Sequence, residues 1–416
     1  MKKISPKMYV AVGVTFVVLA VIVPRFLSGS PDSVFRAYYA AIDRQERVAE
    51  DVTITDDDRK TLADCRSGKD NRPEKDCIRD FYDAYTMKNG VERAFLHLAR
   101  TQSELPDSLR DCHYFSHGIG NAAYRLSGKD PYKAFDAMQS GAVYKNIATC
   151  GNGYFHGVVE ELAAGEKDPV KLEKKLETVC SDNRITRRAN CYHGAGHAAI
   201  IQMGFDIKKM LTICDNVPGR PSDVFSCYTG GFMEYTRTNM GISRTPDGGV
   251  KLELCDSLDK KYQPACYTEL SYFMERLAKD PSDFANNIGQ CKAIGDPLNR
   301  MSCVKLFAIR SVRTAHYSKI REMCDNISSD YEKVMCVAVV ADKIAGSLDD
   351  SRKTDTFRKT LGGICGMLQP SFSRQCVDIV TRRNMQLFYT SQKDLEFPEL
   401  PELSKPLSPK VTTGLR

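Results

Sequence analysis

The spacing of the cysteines constrains this chain more than any other feature of its sequence. Nine of the 16 cysteines follow one another at intervals of 33 to 41 residues, which defines a repeat of about 37 residues. These nine are Cys77, Cys112, Cys150, Cys191, Cys227, Cys266, Cys303, Cys336 and Cys376. The other seven each precede one of the nine by 11 to 13 positions, and only Cys112 and Cys150 lack such a neighbour. We therefore expect an array of similar units.

The segments between paired cysteines indicate what each unit is. They are rich in Asp, Asn, Gly and Pro, which favour turns over helices, as in DNVPGRPSDVFS between Cys214 and Cys227. On either side apolar residues recur at three- and four-residue steps, as in FRKTLGGIC and CVAVVADKIAG. Each unit is therefore predicted to be an antiparallel helix pair. We predict an all-α fold, an α-solenoid of about nine such units.

Disulfide bridges are predicted to fasten these units. A cysteine in the last turn of one helix should bond to a cysteine in the first turn of the next. Closing a loop of about a dozen residues stabilises a fold by about 3 kcal/mol in the chain-entropy treatment. The predicted bridges are Cys65–Cys77, Cys180–Cys191, Cys214–Cys227, Cys255–Cys266, Cys291–Cys303, Cys324–Cys336 and Cys365–Cys376, with Cys112–Cys150 joining two consecutive units.

The repeat length resembles that of the tetratricopeptide-like solenoids, which also have two helices per unit. The resemblance covers about residues 60 to 390 and concerns architecture, because the tetratricopeptide Trp, Leu, Gly and Tyr pattern is absent and the chain has no Trp. It implies stacked helix pairs whose concave face can bind a peptide or a partner protein.

The amino terminus has the features of an export signal. The basic segment KKISPK precedes the apolar run MYVAVGVTFVVLAVIVP, and Arg25 follows it. Positive charge on the amino-terminal side of the apolar run predicts that the amino end stays cytoplasmic while the rest crosses the membrane. We expect residues 1–30 to be a membrane anchor or, if the SGS at 28–30 is cut, a signal peptide. The even number of cysteines agrees with an oxidising periplasmic or extracellular location for the bulk of a single-pass cell-membrane protein.

The remaining segments complete the predicted organisation. Residues 31–60 are expected to form a helical lead-in, 61–390 the repeat domain with a histidine-rich centre at 112–235, and 391–416 a disordered, proline-rich tail. The net charge of +6 is spread out, and no aromatic residues interleave the basic clusters, so we expect no nucleic-acid partner. No C-x-x-C occurs, which excludes thioredoxin-like, zinc-ribbon and c-type haem proteins.

Five of the seven histidines lie in three neighbouring units. Their segments are CHYFSHGIGNAAY, CGNGYFHGVVEEL and CYHGAGHAAI. The pairs they form are His113 with His117, His156 with Glu160, and His193 with His197. Residues four apart share one helix face, about 5 to 6 Å apart at Cβ, and so can bind one ion together.

Helices stacked about 8 to 10 Å apart can bring these pairs into a common groove. We therefore predict that the five histidines and Glu160 bind one or two transition-metal ions, with Glu234 of the next unit as a second carboxylate. Glu161 and Glu275 are weaker candidates. Imidazole suits Zn, Cu, Fe and Ni, and a mixed imidazole and carboxylate set favours iron, with zinc or copper as alternatives. The competing interpretation is a polar network between closely packed helices.

Two further features bear on this site. The pairs stand at unequal offsets from the repeat cysteine (1 and 5, 6 and 10, 2 and 6), so they face the same way only if their helices begin at different points relative to that cysteine, which Gly151 and Gly153 could bring about in the second unit. Glycines also cluster here, leaving room for a metal, a substrate or close helix approach. They are Gly118, Gly120, Gly151, Gly153, Gly157, Gly194, Gly196, Gly230 and Gly231. The isolated His97 and His316 are expected to be structural.

Three functions are compatible with these features. The first is an extracytoplasmic metalloenzyme, either an iron-type oxidase or hydroxylase or a metal-assisted hydrolase, with Glu160 and Glu234 as ligands or general bases. The site is similar in principle to deoxyhypusine hydroxylase, a helical-repeat protein whose stacked His and Glu motifs hold two irons, but the chain lacks its adjacent His-Glu dipeptides. The second is a non-catalytic interaction scaffold of αα-repeats, and the third is metal capture or sensing.

Overall fold

The computed structural model describes 31, 33–36, 52–69, 73–104, 112–139, 152–185, 187–237, 253–277, 288–314, 317–327, 329–348 and 355–381. The predicted anchor at 1–30, Cys150, His316 and the tail at 391–416 lie outside these residues, as does most of the lead-in at 31–60. Every regular element among the described residues is helical, and the all-α prediction is confirmed. None of these helices is both long enough and apolar enough to span a bilayer.

The described helices fall into two compact units. Among the described residues, the larger unit lies within 52–307, and the smaller comprises 31, 33–36 and those within 308–381. The larger unit contains α1 (Asp56–Arg66), α2 (Glu74–Asn89), α3 (Val91–Glu104), α4 (Cys112–Leu126), α5 (Pro131–Gln139), α6 (Asn152–Ala163), α7 (Pro169–Cys180), α8 (Arg188–Gln202), α9 (Ile207–Asn216), α10 (Pro221–Arg237), α11 (Glu253–Asp256), α12 (Gln263–Leu277) and a short 3-10 helix (Gln290–Ala293). Helix α13 (Pro297–Thr314) begins in the larger unit, and α14 (Tyr317–Asp325), α15 (Asp330–Leu348), α16 (Asp355–Cys365) and α17 (Pro370–Thr381) belong to the smaller one.

These elements form nine consecutive pairs within the described residues, the 3-10 helix serving as first member of one pair. In the larger unit the second helices of the pairs, α2, α4, α6, α8, α10 and α12, pack each on the next and form an inner layer. The first helices of the pairs, α1, α3, α5, α7 and α9, each pack on the inner helix that follows them in the chain. This arrangement confirms the predicted disulfide-stapled helical solenoid.

Seven disulfides close the pairs as the cysteine spacing predicts, with sequence separations of 11 to 13 residues. Each joins the carboxyl-terminal end of one element to the amino-terminal part of the next. Cys227, Cys303, Cys336 and Cys376 lie in the second turn of their helices rather than the predicted first. Cys112 is disulfide-bonded, and its predicted partner Cys150 lies outside the described residues.

Local sequence sets the helix ends. Thr55 caps α1 through a capping box, its hydroxyl accepting from the Asp58 amide while the Asp58 carboxylate accepts from the Thr55 amide. Asp168 caps α7, where Pro169 occupies the first position and needs no amide partner. Gly204, with φ of +65°, follows α8 and lets the chain reverse into α9.

Buried tyrosines tie the inner helices to the helices behind them. The Tyr154 hydroxyl donates to the Ala134 carbonyl of α5 at 2.5 Å, and the Tyr192 hydroxyl donates to the Pro218 carbonyl after α9. Tyr228 likewise donates to Asp215 of α9. These contacts give the tyrosines beside the histidine segments a packing role.

Candidate metal centre

Glycine allows the inner helices to approach each other closely. A Cβ atom at Gly153 of α6 would overlap the His113 carbonyl oxygen of α4, and one at Gly120 of α4 would overlap the Tyr154 carbonyl oxygen of α6. A Cβ at Gly196 of α8 would overlap the Cys227 carbonyl oxygen of α10 in the same way. Of the three roles considered for the glycines, the structure shows close helix approach at these positions.

The same contacts explain how pairs at unequal offsets meet. Gly153 and Gly157 lie against the carbonyl groups of His113 and His117, one turn apart. His156 therefore lies at a height between the two histidines of α4. Its ring centroid is 4.8 Å from that of His113 and 5.3 Å from that of His117. The axial shift between α4 and α6 thus compensates for the difference in register.

All five predicted histidines form one cluster with His156 at its centre. The His156 ring also lies 4.6 Å from His193 and 5.2 Å from His197, centroid to centroid. The rings of His117 and His197 are 5.2 Å apart, although α6 lies between their helices in the packing order. The inner face of the layer is therefore strongly concave at this level, and the imidazoles fill it.

Four of these histidines can hold a metal ion. His113, His117, His156 and His197 each place one ring nitrogen within 4.8 Å of the others. Three of the four side chains are almost fully buried, and His113 is half-buried. His193 contacts His156 and His197 but does not belong to this group of four. The structure therefore brings all five predicted histidines into contact, but only four of them, without His193, have metal-ligand spacing.

The carboxylates lie behind the histidines. His117 Nδ1 is 2.9 Å from Glu160 Oε1, and His197 Nδ1 is 3.2 Å from Glu234 Oε2 and 3.6 Å from Glu160 Oε1. An ionised carboxylate only accepts, so Nδ1 carries the proton in both rings. The Nε2 atoms of both rings are buried and have no hydrogen-bond partner among the described residues. Metal-binding histidines commonly have this pattern, with one nitrogen fixed by a carboxylate and the other bearing a lone pair.

Glu160, His197 and Glu234 form a second group with metal-ligand spacing, but one of its carboxylates already has a cationic partner. Arg237 donates to Glu234 Oε1 from Nε at 3.0 Å and from Nη2 at 2.5 Å. A metal ion here would bring a second positive centre to the same carboxylate. Arg237 was not among the predicted site residues, because a single arginine at the end of a helix has no distinguishing sequence pattern.

Comparison with protein-family models, with curated proteins and with solved structures finds no match for this chain. The chemistry of the site is therefore the evidence on function.

Burial and mutual proximity set the protonation of the cluster. Burial lowers the pKa of His156 and His193 well below the ordinary value, and the neighbouring imidazoles lower it further. Burial also lowers the pKa of His117, although Glu160 partly opposes the shift. Burial alone would raise the pKa of the Glu234 carboxyl, but the His197 hydrogen bond and the Arg237 charge lower it overall. At neutral pH these three histidines are thus neutral and Glu234 is ionised, as a metal site requires.

A second residue missed at the sequence level is Thr229 of α10. Its Oγ1 lies 3.0 Å from His193 Nδ1. Thr229 stands two residues after Cys227, just as His193 stands two residues after Cys191. Aligning the repeats would therefore have identified the position, but threonine is not a typical metal ligand and did not stand out.

The other predicted residues lie elsewhere. Glu161 pairs with Arg125 at 2.9 Å between Oε1 and Nη1. His97 is fully buried with its Nε2 3.4 Å from Asp58 Oδ2 and its ring against Tyr85, apart from the cluster. Glu275 lies in a part of α12 whose side chains are outside the described set.

Proposed function

We propose that this protein binds one transition-metal ion through His113, His117, His156 and His197. The observation that supports the proposal most is the orientation of His117 and His197, each with Nδ1 against a carboxylate and a buried Nε2 that has no protein partner in the described chain. A buried polar atom without a partner costs about 1 to 3 kcal/mol, and a bound ion would remove that cost. Of the two His156 nitrogens, Nδ1 is the buried one without a partner, so this ring would bind through Nδ1.

A single ion fits the charges better than two. The second group contains Glu234, whose charge is already balanced by Arg237 at 2.5 Å. Glu160 and Glu234 then act as acceptors that orient histidines rather than as ligands. The proposal therefore keeps four of the five predicted histidines and gives the two carboxylates a different role.

The donor set bears on the chemistry. Four imidazoles suit Cu, Zn, Fe and Ni, and the carboxylates that favoured iron in the sequence lie behind the rings. Glu160 and Glu234 lie on the Nδ1 side of His117 and His197, whereas the proposed ion lies on the Nε2 side of both rings. A general base must lie within hydrogen-bond reach of the metal-bound water. We therefore favour a metal-dependent oxidoreductase over a hydrolase as the activity of an iron- or copper-bound form. A zinc-bound form would instead favour metal capture or sensing.

An interaction scaffold is the alternative, and the inner face at this level argues against it. A scaffold of αα-repeats offers its concave face to a partner. Here the rings of α4 and α8 meet across α6, and Arg237 of α10 lies 3.4 Å from Asp76 of α2. Side chains occupy the space that a bound peptide would need between these helices.

We also propose that residues 1–30 anchor the chain in the cell membrane with the helical repeats outside the cytoplasm. The seven disulfides support an oxidising compartment. Alkaline phosphatase fused after residue 416 should be active in intact cells, and an inactive fusion would contradict the proposal.

Metal analysis tests the central proposal. The full chain, produced with its disulfides oxidised, should contain about one equivalent of a transition metal by elemental mass spectrometry. His117→Asn and His197→Asn keep a donor near the Nδ1 position and remove Nε2, so each should lose most of the metal. His97→Gln is the matched control, since His97 is equally buried but lies outside the cluster. Native protein with well under one equivalent, after incubation with Cu, Zn, Fe and Ni salts, would overturn the proposal.

A further inference from the structure

His193 differs from the other members of the cluster. Its ring centroid lies 4.6 Å from that of His156 and 5.0 Å from that of His197, yet it is not in the group of four. Its Nε2 is buried and makes no hydrogen bond to any residue that the structure describes. The His193 ring is thus half-buried, and its buried Nε2 has no partner among these residues.

The hydrogen bonds of Thr229 determine which nitrogen of His193 carries the proton. A threonine hydroxyl has one hydrogen, and that of Thr229 is donated to the Ser226 carbonyl oxygen at 2.9 Å. Toward His193 the same oxygen can only accept, so His193 Nδ1 must donate. In the neutral ring Nε2 then bears a lone pair, as Nε2 does in His117 and His197.

We propose that Thr229 is a positioning residue that makes His193 a fifth nitrogen ligand of the bound ion. The inference rests on the proposed function, because it concerns the same ion. It extends the arrangement seen at His117 and His197, where carboxylates fix the ring, to a third histidine fixed by a hydroxyl. The ring centroid distances of 4.6 Å to His156 and 5.0 Å to His197 place His193 in contact with two of the proposed ligands.

The position of Thr229 in the repeat gives independent support. Counting from the repeat cysteine, α8 has a histidine at the second position and α10 has Thr229 there. Thr229 is almost fully buried, and a Cβ at the adjacent Gly230 would overlap the His193 carbonyl oxygen. The hydroxyl is thus held against the ring by the close approach of α8 and α10. At the same position after the repeat cysteine, α8 therefore supplies the proposed ligand His193, and α10 supplies Thr229, which orients it.

Two substitutions at Thr229 test this role. Thr229→Val keeps the shape of the side chain and removes the acceptor, whereas Thr229→Ser keeps the hydroxyl. In the full chain loaded with Cu(II), the valine variant should bind the ion about 10- to 100-fold more weakly, the usual cost of losing such a partner. The serine variant should stay close to wild type. Electron paramagnetic resonance should show one fewer coordinated nitrogen in the valine variant, which a purely structural role for Thr229 would not produce.

A second variant keeps the test decisive if Thr229→Val folds poorly. His193→Asn retains a donor to Thr229 and removes Nε2, so it too should lose one nitrogen from the Cu(II) spectrum. Wild type that binds Cu(II), with unchanged affinity and nitrogen count in Thr229→Val and His193→Asn, would overturn this inference alone. Wild type that binds no metal would overturn the proposed function itself.

Discussion

Arg237 Nη1 lies 3.4 Å from Asp76 Oδ1, although 161 residues separate them in the sequence. The same guanidinium lies 4.2 Å from the centroid of the Tyr114 ring and pairs with Glu234. Helices α4, α6 and α8 lie between α2 and α10 in the packing order. The contact therefore requires the inner layer of the larger unit to curve until α10 returns to α2. This curvature directs the histidines of α4, α6 and α8 toward one point.

Removing Arg237 should destabilise the larger unit strongly. In Arg237→Met, Glu234 keeps its buried position with a 2% exposed side chain but loses its cationic partner. Breaking a buried ion pair in this way typically costs about 3 to 5 kcal/mol. Denaturant unfolding of the metal-free protein measures the loss.

Lys174→Met is the matched control for Arg237→Met. Lys174 and Glu177 also form an ion pair three residues apart in a helix, but the lysine side chain is 73% exposed. An exposed pair contributes about 0 to 1 kcal/mol. Equal losses in the two variants would show that Glu234 is not held by Arg237 as described.

Much of the fold could be predicted because the cysteines mark it directly. A bridge between residues 11 to 13 apart leaves room only for a turn between two helices, so the spacing of Cys180 and Cys191 already implies one hairpin. The meeting of His113, His156 and His193 could be predicted for a related reason, since equivalent positions in stacked repeats lie close together. The hairpin follows from a short separation along the chain, and the meeting of the histidines follows from the repeat period. Both quantities can be read directly from the sequence.

The remaining features depend on contacts that no local pattern encodes. Arg237 and Asp76 meet only because the inner layer curves, and sequence does not specify that curvature. Glu160 and Glu234 were predicted as ligands but accept from histidine Nδ1 instead. Only a few ångströms separate a carboxylate that contacts a metal from one that contacts a histidine Nδ1. The spacing of four residues between His156 and Glu160 is the same in both cases.

Adding one methyl group between α4 and α6 should weaken both the fold and the site. In Gly120→Ala the new Cβ would overlap the Tyr154 carbonyl oxygen, and backbone cannot move aside as a side chain can. Overpacking of this kind costs about 1 to 3 kcal/mol. Because it pushes α4 from α6, His117 and His156 should separate and metal affinity should fall. Thermal unfolding and metal titration measure the two effects.

Gly362→Ala is the control for Gly120→Ala. Gly362 lies inside α16, and a Cβ there would meet nothing within 4 Å. The substitution should stabilise that helix by about 0.5 to 1 kcal/mol, because alanine loses less backbone entropy than glycine. Metal affinity should not change. A stabilising effect of Gly120→Ala would contradict the close approach of α4 and α6.

Acid should destabilise the metal-free protein well before the carboxylates titrate. The pKa values of His117, His156 and His193 are lowered in the folded state, so below a pH of about 6.5 the unfolded chain binds more protons than the folded one. The free energy of unfolding should thus be nearly constant above that pH and fall as the pH drops below it. Each histidine contributes up to about 1.4 kcal/mol per pH unit.

Urea unfolding at pH 7.5, 6.5, 5.5 and 4.5 tests the acid response. His156→Gln removes one of three titrating rings and should reduce the slope by about a third. A constant free energy of unfolding from pH 7.5 to 4.5 would show that the rings are solvated in the metal-free state.

Two disulfides of equal span should differ in their effect on the site. Cys180–Cys191 and Cys365–Cys376 each join residues 11 apart, and all four sulfurs belong to fully buried residues. Replacing either pair by alanine should cost about 3 kcal/mol in the unit that contains it. Only the first should lower metal affinity, because Cys191 fixes the start of α8 two residues before His193. Hydrogen exchange localises the loss of stability, and metal titration measures the affinity of each variant. An equal loss of metal affinity in both variants would mean that the site depends on global stability rather than on the placement of α8.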